Sequence, residues 1–272
     1  MKKKVAGYIL YAILITVVFL YCCFPDTCVR TFIESAVSKN NPDISVSLDS
    51  ASLAFPLAMT GDNLVFGRKD DPGTNVKIDH VKARLLFGKL LQGNISVSLQ
   101  AHAYGGDVLA DILFADRFST SGPVQSQIRL NNIAIGQCSY LKTALNRHIT
   151  GRLTGSVEFS GKTGDMINGK GTADLKLRNG ELELLKALLG LGKLNFDVIE
   201  TNIALKDRVL TIDEADISGE QLNGSFNGNI ALNNNILNSR IAIKGRANVP
   251  AFNKNISVVL SGTLANPRHK IR

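Results

Sequence analysis

Four histidines, four cysteines and 23 acidic residues are the side chains with which this chain of 272 residues could do chemistry. A metal site needs ligands clustered at short spacing, and His80, His102, His148 and His269 each stand apart from any second His or Cys. His80 follows Asp79 in an alternating stretch, where a solvated strand face accounts for both. Gly151-Arg152-Leu153-Thr154-Gly155 has glycines like those of a phosphate loop or a nucleophile elbow. It lacks the Lys or Ser that each requires, and it opens a strand, not a helix. Acidic residues are spread singly, with no paired carboxylates. With no nucleophile, base or metal candidate, the expectation is a protein that is not an enzyme and carries no cofactor. Cys28 and Cys138 read as two small buried side chains, because a bridge between them would close a very long loop.

The elements that carry these residues are mostly strands. Asp26 can cap a short helix in which Val29, Phe32, Ile33, Ala36 and Val37 form one apolar face. After Asn40-Asn41-Pro42 the period changes to two: Ile44, Val46 and Leu48 alternate with serines, as do Ile95, Val97 and Leu99. About fifteen strand-like runs follow, punctuated by Gly or Asn at roughly ten-residue spacing, the pattern of a meandering antiparallel sheet. A second short helix is predicted over Cys138 to His148. The Leu-rich run Leu182 to Leu194 predicts a third, with Leu184, Leu185, Leu188 and Leu189 as its covering or partner-binding face. One face of each strand is apolar, so a second sheet, the helices or a lipid must cover it. Val157, Phe159, Leu175 and Leu177 are the candidate groove lining. The expectation is sealing by the helix at 182–194, which follows these strands directly and closes only a short loop.

The N-terminus reads as a membrane anchor. Val5 to Phe24 carries no charge over the length needed to cross a bilayer. Lys2, Lys3 and Lys4 bias that end inward, Tyr21 sits at the far interface and Pro25 ends the helix. The exit lacks the small residues of a cleavage site, so the anchor is expected to be retained. The net charge is +8, of which the three lysines hold three, leaving +5 scattered over residues 26–272. No basic run is interleaved with aromatics, so nucleic acid is not an expected partner. The division is then tip and anchor 1–25, amphipathic helix 26–41, first β region 42–136, short helix 137–149, and a Gly-punctuated β region 150–272.

An anchor ending in Phe24-Pro25 resembles the protein N component of type II secretion systems, in its long deltaproteobacterial form. So do Ala103-Tyr104-Gly105-Gly106, Asn179-Gly180-Glu181-Leu182, and the closing Leu260-Ser261-Gly262-Thr263-Leu264-Ala265-Asn266-Pro267. The last two segments are also similar to the C-terminal region of AsmA-like proteins. The resemblance implies a mainly β, elongated and curved body outside the cytoplasm, held by a transmembrane helix in the inner membrane. It implies secretion-system subunits as partners and protein transport as the task. The AsmA-like side implies a groove for lipid chains and lipid binding or transfer. Fifteen strands at about 4.8 Å each reach about 70 Å, too short to carry lipid between two membranes unaided.

Overall fold

The computed structural model describes residues 26–40, 43–54, 58–86, 88, 93–115, 122–145, 147–188, 191–250 and 254–271, together with Tyr8, Tyr11 and Ile15. Among the described residues the alternating stretches form fifteen strands in one curved, open, antiparallel sheet. They are β1 (Ile44–Ser47), β2 (Ser50–Ala54), β3 (Ala58–Arg68), β4 (Asp71–Leu85), β5 (Ile95–Ala103), β6 (Gly106–Phe114) and β7 (Pro123–Ala134). Then come β8 (Arg152–Lys162), β9 (Asp165–Leu188), β10 (Leu191–Lys206), β11 (Val209–Ser218), β12 (Asn223–Ala231), β13 (Arg240–Val249), β14 (Lys254–Thr263) and β15 (Pro267–Ile271). From β3 onward each strand pairs with the next, while β1 and β2 both pair with β3 as two halves of one bent edge.

Turn chemistry sets this meander. β5 and β6 are joined by Tyr104 and Gly105 at φ +53 and +67. A two-residue turn with both positions left-handed matches the twist of the strands it joins. Asp207 and Arg208, at φ +49 and +66, do the same between β10 and β11. The period-two pattern then places side chains. In β8 Leu153, Val157 and Phe159 are half-buried, and Arg152, Thr154, Ser156, Glu158 and Ser160 point out to solvent.

Two α-helices occur among the described residues. Helix α1 (Asp26–Asn40) packs on β1 and β2, and Arg30 Nη1 donates to the Asp49 carbonyl at 2.9 Å. A 3-10 turn (Ile135–Gln137) leads into α2 (Ser139–Leu145), which lies against β4, with Ser139 Oγ donating to the Asn75 carbonyl at 2.9 Å. Ile44 and Val46 are half-buried and Leu48 is buried, on the edge that α1 covers.

One expectation needs correction. The helix at 182–194 does not exist: β9 continues through Leu188, β10 begins at Leu191, and Leu182 pairs with Leu194. Leu184, Leu185 and Leu188 therefore belong to a strand, and Leu189 lies outside the described residues. The reason is that Glu181-Leu182-Glu183-Leu184 keeps the period of two, and partner strand β10 outweighs the helical preference of leucine. Two α-helices, not three, therefore accompany the sheet among the described residues. The anchor reading, with Lys2, Lys3, Lys4, Tyr21 and Pro25, falls outside the described residues, apart from helical and exposed Tyr8, Tyr11 and Ile15. Among the described residues no helix is long and apolar enough to cross a membrane.

Candidate functional site

Strand register brings the apolar positions into rows that run across the sheet. Following direct partners from β3 to β15 gives Met59, Ala83, Leu99, Ala110, Ile128, Val157, Ala173, Ile203, Ile212, Gly228, Ile243, Leu260 and His269. The twelve strand spacings of this row cover roughly 58 Å. It carries no charged or polar side chain until His269. A second row on the same face runs Val97, Ile112, Ser126, Phe159, Gly171, Leu205, Leu210, Ile230 and Ile241. A third includes Val108, Leu130, Gly155, Leu175, Thr201, Ala215 and Phe226. Together they line an apolar trough perpendicular to the strands. In the first row only Ala110 is buried; from Met59 to Leu260 the others are half-buried, so described elements leave this face open.

Glycines shape the trough floor by letting phenylalanine rings lie flat. A Cβ on Gly245 would stand 2.3 Å from Phe226 Cδ1, and one on Gly169 would stand 2.4 Å from Phe159 Cε2. Toward the C-terminal strands the trough deepens into a cavity of ≈ 460 Å³. Its walls include Leu194, Ile199, Ile217, Leu222, Ile243, Val258 and Leu260, with Arg147 and His269 as the only ionisable side chains among the described residues. A second, larger hollow of ≈ 610 Å³ is different in kind. Gln125, Gln127, Glu158, Lys170 and Lys206, mostly residues of the opposite strand parity, line it together with Ile112, Phe159 and Leu205 of the second row, so charged and apolar side chains mix there.

One side of the trough is plugged where it crosses β7 to β10. Ile135 of the 3-10 turn, Leu141 of α2 and Ile149 pack with Ile133, Leu177 and Phe196, the last only 3% exposed. Tyr104 joins this cluster, and its hydroxyl accepts from the Lys77 backbone N–H at 3.1 Å. Burial pushes the phenol pKa up. Cys138, beside it, is a free thiol. The local cover is thus the segment carrying Ile135, Leu141 and Ile149, not the segment at 182–194, and among the described residues it closes this side only. Beyond the plug, Leu194, Leu222, Ala247, Val249 and Ile256 form a second buried cluster beneath the deep cavity.

The four candidate groove residues do not fare alike. Val157, Phe159 and Leu175 sit on the open floor, half-buried, whereas Leu177 is 8% exposed under the plug. The short motif residues have conformational roles. Tyr104 and Gly105 form the left-handed turn, and a Cβ on Gly106 would meet the Asn131 carbonyl oxygen at 2.5 Å. Gly180 follows left-handed Asn179 and faces the Phe196 ring. Gly262, at φ +94, opens the turn that Pro267 closes into β15. Arg147 escaped notice in the sequence because a lone Arg between a helix and a strand carries no spacing signal. Only the fold brings it to the cavity.

Charged pairs lie on the outer surface. His80 Nδ1 is 2.7 Å from Asp62 Oδ1, and Ser50 Oγ donates to Asp62 Oδ2 at 2.6 Å; these bonds hold the Asp62 carboxyl below the usual range. Lys193 Nζ donates to Glu181 Oε1 at 2.8 Å across β9 and β10, and this bond raises the Lys193 pKa. Lys176 pairs with Glu200 on the same strands and lowers the Glu200 pKa. Among the described residues no group of three or more His, Cys, Asp or Glu is placed to hold a metal ion. Comparison with known protein families, with curated proteins and with solved structures finds no match.

Proposed function

We propose that this protein binds lipid, holding acyl chains in the trough as an AsmA-like component of the cell envelope. The supporting observation is the row from Met59 to Leu260, apolar over every strand from β3 to β14 and left half-buried by the described elements. A monomeric soluble surface rarely exposes a contiguous apolar patch of more than a few hundred Å² unless something binds there. The cavity of ≈ 460 Å³ falls within the size of ordinary ligand sites. In this proposal residues 1–25 anchor the chain in the inner membrane with the N-terminus inside, and residues 26–272 lie in the periplasm.

A second proposal keeps the protein as an accessory subunit of a type II secretion system. It is favoured by the edge of β15, which among the described residues pairs only with β14 and offers backbone groups for strand addition by another subunit. Mass spectrometry of the full chain, extracted gently from membranes, tests both. The lipid proposal expects an intact mass beginning at Met1 and stoichiometric lipid. Recovery without lipid but with secretion subunits would transfer the function to the second proposal. A chain cut after Pro25 would remove the anchor.

A further inference from the structure

Among the described residues the deep cavity is lined by one permanent charge, and that charge makes no ion pair. Arg147 lines the cavity beside Leu182, Leu194 and Leu222. Its Nε is buried without a hydrogen-bond partner, and among the described residues its guanidinium makes no ion pair. The acids of the adjacent stretch of β9 make their hydrogen bonds elsewhere. Glu181 accepts from Lys193 Nζ at 2.8 Å, and Glu183 Oε2 accepts from the His148 backbone N–H at 3.1 Å. Leaving a guanidinium donor buried and unmade is costly, and among the described residues the cavity wall is hydrocarbon apart from His269. The backbone of Arg147 is tied to the end of α2 by its N–H, which donates to the Lys142 carbonyl at 3.3 Å, so it stays at this wall.

We propose that Arg147 is the headgroup site of the trough: it binds the carboxylate or phosphate of an anionic lipid whose chain lies along the apolar floor. The assignment rests on the lipid-binding proposal and names its ligand class. A planar guanidinium presents paired N–H donors that match carboxylate and phosphate oxygens. The floor from Leu194 through Ile217 and Phe226 to Val258 receives the chain. Burial lowers the Arg147 pKa, the expected sign for a cation awaiting its counter-ion in a poorly solvated wall.

The test uses the full chain exchanged into amphipol, with oleate, its uncharged counterpart oleyl alcohol, and the chainless anions acetate and inorganic phosphate. Wild type is expected to bind oleate about tenfold to a hundredfold more tightly than oleyl alcohol, the worth of a charge-assisted pair. It is expected to show no measurable affinity for acetate or phosphate alone. Arg147→Gln should lose that preference and leave alcohol binding unchanged, while Arg147→Lys should keep part of it. Equal wild-type affinity for oleate and oleyl alcohol overturns the headgroup site even if no variant folds, and leaves lipid binding standing. Unchanged oleate binding by Arg147→Gln has the same meaning. If wild type binds neither amphiphile, the lipid proposal itself falls.

Discussion

Replacing Gly180 by alanine probes the junction where β9 passes the plugged side of the trough. An added Cβ would stand 2.2 Å from the Thr150 carbonyl oxygen and 2.4 Å from Phe196 Cζ. Neither neighbour can retreat easily. The Thr150 N–H donates to the Glu181 carbonyl at 2.9 Å, and Thr150 Oγ1 accepts from the Glu181 N–H at 2.9 Å, so this backbone is clamped from both sides. Phe196 is locked among Ile133, Ile135 and Leu177. Overpacking of this kind costs about 1–3 kcal/mol, more when backbone is involved, against about 0.4–1 kcal/mol recovered from a stiffer unfolded chain. We expect Gly180→Ala to lose about 2–3 kcal/mol, which for a chain of this size lowers Tm by roughly 4–12 °C. Gly192, whose added Cβ meets nothing within 4 Å, is the control, and Gly192→Ala should stay within about 1 kcal/mol of wild type. Circular dichroism melts of the three proteins decide the matter. A Gly180→Ala variant as stable as Gly192→Ala would refute the packing described around Phe196.

Acid unfolding offers a separate check on the outer surface. Hydrogen bonds from Ser50 and His80 depress the Asp62 pKa, so Asp62 stabilises the fold above its unfolded value, and that contribution is lost as pH falls through its lower folded value. Asp62→Asn should therefore be less stable than wild type at neutral pH and less sensitive to acid; parallel acid limbs for the two proteins would contradict the assignment. The lipid and headgroup experiments given above complete the set.

The sheet was legible in the sequence because its signal is redundant. Alternation in Ile44 to Leu48, Ile95 to Leu99 and Gly151 to Gly161 specifies both strand and face, since a slip of one residue would turn every apolar side chain outward. The left-handed turn at Tyr104-Gly105 was visible as a motif without its cause. Leu182 to Leu194 was misread because composition outvoted period: leucines favour helix, but Glu181 and Glu183 alternate with leucines, and Glu181 finds Lys193 across the ladder. The location of the cover was not legible. Ile135, Leu141 and Ile149 reach Phe196 only through contacts between distant segments, and no local pattern encodes them. Arg147 was invisible for the same reason: its isolation in an apolar wall is a property of the assembled fold.

The central claim is that the described residues leave the trough open along its floor and close it only at the plug. Val157 and Leu177 separate these two regions, one half-buried in the row from Met59 to Leu260, the other 8% exposed beneath Ile133, Ile135 and Phe196. In a full chain whose native cysteines are replaced by serine, Val157→Cys and Leu177→Cys are treated in membranes with a lipid-linked maleimide. The account predicts ready labelling at 157 and protection at 177 until the protein is denatured. Protection at both positions in the native protein, with labelling of both after denaturation, would mean that the floor is sealed and would contradict it.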